Sequence, residues 1–454
     1  MSAANTSPRW RPTPLARGIF GSVAVTFGNH SPPRHSPNPS ASARCSWHRS
    51  MPAAALRSSP ARLPLCTAHE PAFSRPVRHR EPRPPPWAAE FHAMKFLLFS
   101  SFAHLVLDRD PTRVSGGAEL QMGLLARALA QRGHDVALLG ADEGQPDGRV
   151  LDGVRTRTGG RFDTGRPVDT LRAFVRVARV FRAERPEWVV IMGAGTWVWL
   201  LWLLRLRFGF SLAFIAASDV DVDGGYRRMF PARGWLYELA LRRVDRVIAM
   251  SEYQRAGFTK RGLRPGFYRN LLLDAAGGES PKDVDFLWVA SAQPLKQPGL
   301  FLDLAARLPE RRFVMICPLK QDRAFWERTR ARAAALPNVE FHPLVPYHTV
   351  QMFFHRARVF VNTSDYEGFP NTFLQAGLGR AALLSLRVDP DGMIAREGAG
   401  VCAQGEPAVF YAAAGRMLDE AAALAGMQAR CAEYVAARHG TAANVDAFLD
   451  ALKP

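Results

Sequence analysis

Short apolar runs alternate with amphipathic helical patterns along the chain from residue 94 to its end. Such runs, rich in Val, Ile, Leu and Phe, are typical of strands buried on both faces of a sheet. Between them, apolar positions recur at helical spacing, for example over 120–129 and 301–308. The runs that predict strands are 96–99, 134–140, 189–192, 212–216, 245–250, 285–290, 313–317, 339–344, 359–361 and 382–386. Strands that alternate with helices predict an α/β fold with parallel sheets.

A glycine pair lies near the start of the first predicted crossover. A polar loop over 104–114 leads to Gly116 and Gly117, and the helix that follows ends at Gly133. A strand, a glycine pair and a helix are typical of a Rossmann-like sheet. The pair alone does not specify a nucleotide site, because the three-glycine dinucleotide fingerprint is absent.

The most apolar region, residues 188–204, approaches the length of a transmembrane helix. Gly193 and Gly195 interrupt it early, and Arg205 ends it, so the pattern favours a buried strand–helix–strand unit over a membrane span. A peripheral contact of its helix with a bilayer is a further option because the helix carries several indole rings. These belong to Trp197, Trp199 and Trp202.

Alternating acidic residues follow the strand at 212–216. Asp219, Asp221 and Asp223 resemble the opening of a calcium-binding EF-hand loop. The twelfth position of that loop is Phe230 rather than Glu, and no flanking helix pair is predicted, so the EF-hand interpretation fails.

The segment 364–375 joins the strand at 359–361 to a helix that ends at Gly379. It has the sequence Ser-Asp-Tyr-Glu-Gly-Phe-Pro-Asn-Thr-Phe-Leu-Gln. Gly368 and Pro370 predict a tight turn, and Asn371 or Thr372 is the predicted N-cap. A helix N-terminus presents unpaired N–H groups that suit an anion such as a diphosphate. By itself the segment is also compatible with an ordinary strand–helix connection.

The same segment resembles the donor-site signature of the retaining GT-B glycosyltransferases of glycosyltransferase family 4. That signature is a Glu-Gly-Phe-Pro-Asn-Thr-Phe-Leu run with a second acidic residue eight positions after the first. Glu367 matches the first acidic residue, and Gln375 occupies the second position. The resemblance covers residues 94–454 and is strongest over 288–400. It implies an α/β GT-B fold, in which two Rossmann-like doubly wound domains face each other across a cleft.

The resemblance also implies roles for individual residues. Glu367 would orient the sugar hydroxyls, and Lys296 would neutralise the departing diphosphate; these two are the predicted catalytic residues. The family's Arg beside that Lys has no counterpart, since Ser291 and Gln293 occupy the candidate positions. The predicted donor-binding residues are Gly116, Gly117, Tyr347, Gly368, Phe369, Pro370, Asn371, Thr372 and Gln375.

In the first half, Asp219 and Asp221 would lie in a cleft loop that meets the acceptor, and Asn270 matches the family's interdomain Asn turn. The His that many relatives carry in this half has no counterpart here. An Asp-x-Asp pair is also the metal motif of the other large glycosyltransferase fold, which remains an alternative. No metal and no cofactor are expected.

Residues 1–93 differ in composition from the rest. They contain 12 Arg, no Lys or Asp and three Glu, so their net charge is +9, half of the chain's +18. With 16 of the 34 Pro they predict a disordered basic leader. An organelle transit peptide and a basic arm for nucleic acid or acidic lipid are alternatives. We favour a start at Met94, where the first strand begins.

The predicted organisation is a leader over 1–93, an acceptor domain over 94–276, a donor domain over 277–438 and a C-terminal helix over 439–454 that packs toward the first domain. The five Cys are dispersed, which favours a reducing cytoplasm, with the inner face of the membrane as an option.

The function that the resemblance implies is a retaining, hexosyltransferase-type transfer from a nucleotide-diphosphate sugar to a hydroxyl, in polysaccharide or glycoconjugate biosynthesis. The partners would be that donor and a glycan or lipid-linked acceptor, with peripheral membrane contact as an option and no nucleic acid. The rivals are a nucleotide-sugar epimerase and a non-catalytic nucleotide-sugar-binding scaffold.

Overall fold

Two parallel β-sheets organise the chain in a computed structural model that describes residues 92–109, 116–162, 166–272 and 280–453. The described residues from Ala93 onward belong to one compact unit. The predicted α/β fold with two Rossmann-like sheets is therefore confirmed. The predicted leader lies almost wholly outside the described residues, as does the predicted boundary between residues 276 and 277. The exact domain boundaries stay a prediction.

The first sheet has the strand order β3-β4-β2-β1-β5-β6-β7-β8, in which only the β3–β4 pair is antiparallel. Its strands are β1 (Lys95–Phe99), β2 (Asp135–Gly140), β3 (Val150–Leu151), β4 (Val154–Thr158), β5 (Trp188–Met192), β6 (Ser211–Ile215), β7 (Arg246–Ala249) and β8 (Gly266–Phe267).

The second sheet is parallel throughout, with the order β11-β10-β9-β12-β13-β14. Its strands are β9 (Val284–Val289), β10 (Phe313–Ile316), β11 (Val339–His342), β12 (Ala357–Asn362), β13 (Ala382–Ser385) and β14 (Gly400–Cys402). The chain runs outward from β9 to β11 and then returns to the other side of β9. Ligands of doubly wound sheets bind where the strand order reverses in this way, which here lies between β9 and β12.

Helices cover the sheets. They are α1 (His104–Asp108), α2 (Gly117–Gln131), α3 (Pro167–Glu184), α4 (Thr196–Phe208), α5 (Gly225–Met229), α6 (Pro231–Leu241), α7 (Glu252–Lys260), α8 (Pro298–Arg307), α9 (Arg323–Ala334), α10 (Gln351–Arg356), α11 (Asn371–Leu378), α12 (Pro407–Asp419), α13 (Ala421–Arg438) and α14 (Thr441–Leu452). Short 3₁₀ turns occur at Asp219–Asp221, Pro294–Lys296 and Pro390–Gly392.

Each sheet is buried on both faces. In β1, Leu97 and Phe99 belong to one apolar cluster, whereas Phe96 and Leu98 belong to the cluster on the other face. This division follows from the alternation of side chains along a strand. Because both faces are covered by helices, inner strands such as β1, β5, β9 and β12 are continuously apolar, which is why the sequence pattern detected them. The pattern did not detect β3, β4, β8 and β14; β4, for example, has the mixed sequence Val-Arg-Thr-Arg-Thr.

Two local predictions need correction, and a third is confirmed. The loop predicted over 104–114 contains the short helix α1 in its described part. The strand–helix–strand unit that the pattern favoured is confirmed, because residues 188–204 form β5, a glycine turn and part of α4, and β6 follows. None of the helices within the described ranges has the length and apolarity to cross a membrane. The N-cap of α11 is Pro370 rather than Asn371 or Thr372, so Asn371 is already the first residue of the helix.

The C-terminal helix packs against the first half. Val445, Phe448 and Leu452 of α14 are buried in the same apolar cluster as β1 and α2. The last residues of the chain thereby contribute to the core formed by its first strands.

Candidate active site

The loop after β9 and the loop after β12 are tied together by one buried hydroxyl. Thr363 Oγ1 accepts a hydrogen bond from Trp288 Nε1 at 2.9 Å and donates one to the carbonyl of Lys296 at 2.6 Å. Beside it, the N–H of Asp365 donates to the carbonyl of Leu295 at 3.0 Å. These bonds hold the two loops side by side at the point where the strand order reverses.

Lys296 and Glu367, the two predicted catalytic residues, meet at this point. Lys296 Nζ forms an ion pair with Glu367 Oε1, and Ser364 Oγ donates to the same oxygen at 2.8 Å. Both charged side chains are mostly buried, with 17% and 19% of their surface exposed. The structure therefore places a cation and a carboxylate together at the edge of the sheet where ligands bind.

Gly368 allows the signature loop to approach the first half closely. A Cβ on Gly368 would lie 2.9 Å from the carbonyl oxygen of Ala217 and 3.4 Å from the Cα of Ser218. No side chain fits at the first of these distances, so glycine is required for this contact. The signature loop and the acidic loop after β6 consequently face each other.

Asn371, in the first turn of α11, forms hydrogen bonds across the two halves. Its Nδ2 donates to the carbonyl of Gly117 at 3.0 Å, and its Oδ1 accepts from Gln121 Nε2 and from Asn270 Nδ2, both at 2.9 Å. The predicted glycine pair, the Asn turn and the signature are thus in direct contact. Pro370 supplies no side-chain cap, so the amides of Asn371 and Thr372 lack an acceptor from their own helix, whereas that of Phe373 donates to the Pro370 carbonyl at 3.0 Å.

The side chain of Asp221 stabilises the turn that follows β6. Its carboxylate is buried and accepts from the N–H groups of Ala217 at 2.8 Å and Ser218 at 3.1 Å. Burial raises the pKa of Asp221 to about 6, although these hydrogen bonds oppose the rise. The expected contact of Asp221 with an acceptor does not fit this burial; its carboxylate instead holds the turn in shape.

Asp219 is the more accessible of the two predicted acids. Burial, followed by the charges of Asp223 and Asp221, raises the pKa of Asp219 to about 7, while a hydrogen bond from Gln254 opposes the rise. The Asp219 carboxyl therefore changes its protonation state near neutral pH. In the part of the chain that the structure describes, no three His, Cys, Asp or Glu side chains are grouped to hold a metal.

Gln375 and Tyr347 are held in the packing around α11. Gln375 is buried, and its backbone carbonyl accepts a hydrogen bond from Gln351 Nε2 at 3.0 Å. Its side-chain Nε2 has no hydrogen-bond partner among the described residues. The half-buried ring of Tyr347 packs against the apolar cluster of the first half. Their predicted contact with a nucleoside stays a prediction.

Two family models match adjacent parts of the chain. The model described as "Glycosyl transferase 4-like domain" matches residues 116–269, and the model described as "Glycosyl transferases group 1" matches residues 283–420. The chain belongs to the group 1 glycosyl transferases. The predicted family is thereby confirmed, and the signature that suggested it lies within the second match.

Several solved protein structures share this fold. Sucrose-phosphate synthase from Thermosynechococcus elongatus superposes on the chain with a TM-score of 0.64 at 18% identity, covering 78% of this chain and 97% of that one. HepE from Anabaena, solved in complex with UDP, gives 0.60 at 13% identity, covering 79% and 99%. A putative UDP-N-acetylglucosamine 2-epimerase from Listeria monocytogenes gives 0.54 at 12% identity, covering 80% and 96%.

At such identities the likeness shows the fold alone, which is GT-B. A search of curated protein sequences gives no match to this glycosyltransferase.

Lys320 is a candidate site residue of this glycosyltransferase that the motif comparison did not find. The N–H of Ala292 donates to the carbonyl of Pro318 at 3.0 Å, which holds the loop after β10 against the loop after β9. Two residues later, the Lys320 ammonium interacts with the charges of Glu119, Lys296 and Glu367. Its side chain reaches solvent, yet surrounding protein desolvates the ammonium and lowers its pKa. Its position after a strand beside β9 was the available sequence signal.

His439 is a second residue without a sequence motif. It is fully buried, its Nδ1 lies 2.9 Å from the carbonyl oxygen of Asn270, and its ring centroid lies 4.7 Å from that of Phe369. It therefore supports both the Asn turn and the signature loop from behind. A single His after α13 carries no local signal of this role.

Proposed function

We propose that this glycosyltransferase transfers a hexose from a nucleotide-diphosphate donor to an acceptor hydroxyl, with retention of the anomeric configuration. The observation that carries the proposal is the meeting of the Lys296–Glu367 pair with the start of α11 at the reversal point of the second sheet. A cation and unpaired helix amides complement a diphosphate, and a carboxylate beside them can accept hydrogen bonds from sugar hydroxyls.

In the proposed reaction the bond between the anomeric carbon and the diphosphate oxygen breaks, and a bond to the acceptor oxygen forms on the same face. The leaving phosphate takes the acceptor's proton, so no protein base is needed. Negative charge grows on the diphosphate as the bond breaks. Lys296, Lys320 and the first amides of α11 are the groups that would stabilise it. Lys320 would supply the second positive charge in place of the family's Arg.

The donor half would begin near residue 277, with Gln375 and Tyr347 at the nucleoside and the Gly116-Gly117 turn near the diphosphate. The acceptor half would be 94–276, with Asp219 close to the acceptor hydroxyl. Contact between the halves would exclude water from the reacting bond and limit hydrolysis. The proposed acceptor is a glycan or a lipid-linked glycan of a polysaccharide or glycoconjugate pathway.

The proposed compartment is the cytoplasm. Cys317, Cys402 and Cys431, which fall in the part of the chain that the structure describes, are free thiols. Free thiols are typical of proteins in a reducing environment.

Thermal unfolding of the full-length protein with UDP, GDP, ADP and their common sugars tests the proposal. A ligand that binds only the folded state raises the melting temperature by mass action. We expect one nucleotide sugar to stabilise the protein more than its nucleotide does, and Glu367→Ala to abolish that sugar-dependent part. Glu310→Ala, at an exposed acid, is the matched control.

Three results would contradict the proposal. Absence of any shift would favour a scaffold without a donor site. Equal shifts in the Glu367→Ala variant would remove this carboxylate from the sugar site. Formation of an epimerised sugar from the nucleotide sugar, without an acceptor, would identify an epimerase instead.

A further inference from the structure

Helix α3 exposes apolar side chains to solvent. Val168, Leu171 and Val175 are 60%, 63% and 43% exposed. Their spacing of three and four residues places them on one face of the helix. The opposite face is also apolar, because Ala173, Val177, Val180 and Phe181 are buried in the core of the first sheet. The exposed apolar face is therefore additional to the face that the fold requires.

Arginines share this exposed face. Arg172 and Arg179 lie four residues after Val168 and Val175, and Arg182 lies one turn further along; all three are exposed. Among the described residues, Arg179 and Arg182 form no ion pair, and Arg172 approaches only Asp169, at 3.8 Å. The remaining acid of the helix, Glu184, is turned away from this face and pairs with Arg155 and Arg157.

The topology places this face near the cleft. Helix α3 follows β4, so it starts at the edge of the first sheet where the parallel strands have their carboxyl ends. The same edge carries Gly117 at the start of α2 and Ala217 after β6, which contact the signature segment. The three exposed apolar residues lie in the first half of α3, next to that edge.

We propose that the α3 face, formed by Val168, Leu171, Arg172, Val175, Arg179 and Arg182, binds the surface of an anionic lipid bilayer. The apolar side chains would enter the boundary between headgroups and acyl chains. The guanidinium groups would pair with lipid phosphates while their stems lie along the apolar region. A nucleic acid would account for the arginines but not for three exposed apolar side chains between them.

This binding does not depend on sugar transfer. Where the proposed function also holds, it would bring the cleft edge of the acceptor half to the surface in which a lipid-linked acceptor resides. The attachment would be peripheral and reversible, since a few interfacial side chains and charges give weak binding.

Co-sedimentation of the full-length protein with vesicles tests the proposal. The vesicles contain phosphatidylcholine alone or phosphatidylcholine mixed with phosphatidylglycerol, at low and high salt. We expect binding to the mixed vesicles only, weakened by salt. The apolar variant Val168→Ser, Leu171→Ser, Val175→Ser and the charge variant Arg179→Gln, Arg182→Gln should each bind at least about tenfold more weakly, from the size of interfacial contributions.

Matched controls separate the α3 face from total charge. Arg328→Gln with Arg330→Gln removes two exposed arginines from α9 in the second half, and Val409→Ser removes an exposed apolar side chain from α12. Both controls should bind like the parent protein. The basic leader is the same in every variant, so its attraction to anionic lipid cancels in the comparison. Unchanged melting temperatures would show that the variants are folded.

Several results would overturn the proposal. One is the absence of any binding of the parent protein to anionic vesicles. Another is binding of the α3 variants as tight as that of the controls, which would assign the binding to a different part of the chain. A dimer that the apolar variant dissociates, without any vesicle binding, would identify a second copy of the chain as the occupant. Duplex DNA binding that only the charge variant loses, again without vesicle binding, would identify nucleic acid. UDP-dependent stabilisation is measured separately, so failure here is distinguishable from failure of the proposed function.

Discussion

The buried His439 should make the protein less stable in mild acid. The pKa of His439 is lowered to about 4, mainly by burial and to a smaller extent by the charges of Arg269 and Arg438, while the hydrogen bond with Asn270 opposes the shift. The folded protein therefore favours the neutral imidazole. In the unfolded chain the same group has a pKa near its ordinary value of 6.5.

The size of the effect follows from the two pKa values. A His with a lowered pKa contributes its full stabilisation above pH 6.5 and loses it progressively as the pH falls toward 4. The gap between these values corresponds to about 3 kcal/mol of unfolding free energy. For a domain-sized protein this is a large fraction of the total stability.

Urea unfolding of the parent protein and of His439→Asn, measured between pH 7 and pH 4, tests this reasoning. The Asn side chain can still donate to the carbonyl of Asn270, but it does not titrate. The variant should be less stable at pH 7, because it loses the ring contacts with Phe369 and Tyr434. The difference between the two proteins should narrow by about 3 kcal/mol as the pH falls.

Other groups titrate in the same range, and they act in both proteins. Asp219 and Asp221 have raised pKa values, so they favour folding at low pH and oppose the His439 effect. Their contributions cancel when the two proteins are compared. His348→Asn, at an exposed His, is the control and should leave the profile unchanged. Parallel pH profiles for the parent and His439→Asn would refute the argument.

Three further substitutions probe the site. Thr363→Val leaves the buried indole N–H of Trp288 and the carbonyl of Lys296 without their hydrogen-bond partner. It should therefore lower the unfolding free energy, measured in urea, by about 2 kcal/mol. An unchanged urea midpoint would contradict this. Gly368→Ala places a Cβ in the contact between the loops and should cost about 1–3 kcal/mol, whereas Gly415→Ala, in open space within α12, should stabilise by about 1 kcal/mol. Lys320→Gln should weaken UDP binding by roughly tenfold in calorimetry, since a charge-assisted bond to phosphate is lost; unchanged affinity would place Lys320 outside the phosphate site.

The sequence by itself determined the buried inner strands and the family. A strand buried on both faces must be apolar along its length, so β1, β5, β9 and β12 were recognisable from the pattern alone. The signature at 367–375 could be recognised because its residues are consecutive. Asn371 was expected as a cap for its own helix, however, and instead bridges the two halves.

Only the tertiary structure decided which separated residues meet. Lys296 and Glu367 are 71 residues apart, and Asn371 and Gly117 are 254 apart. Local patterns report whether a side chain is buried, but they do not contain the distance between two loops. That distance is set by strand order and by the packing of the sheets. Lys320 and Asp221 show the difference, since both are single polar residues that follow strands. Packing brought the Lys320 ammonium under the influence of the charges of Lys296 and Glu367. The Asp221 carboxylate instead accepts hydrogen bonds from its own turn.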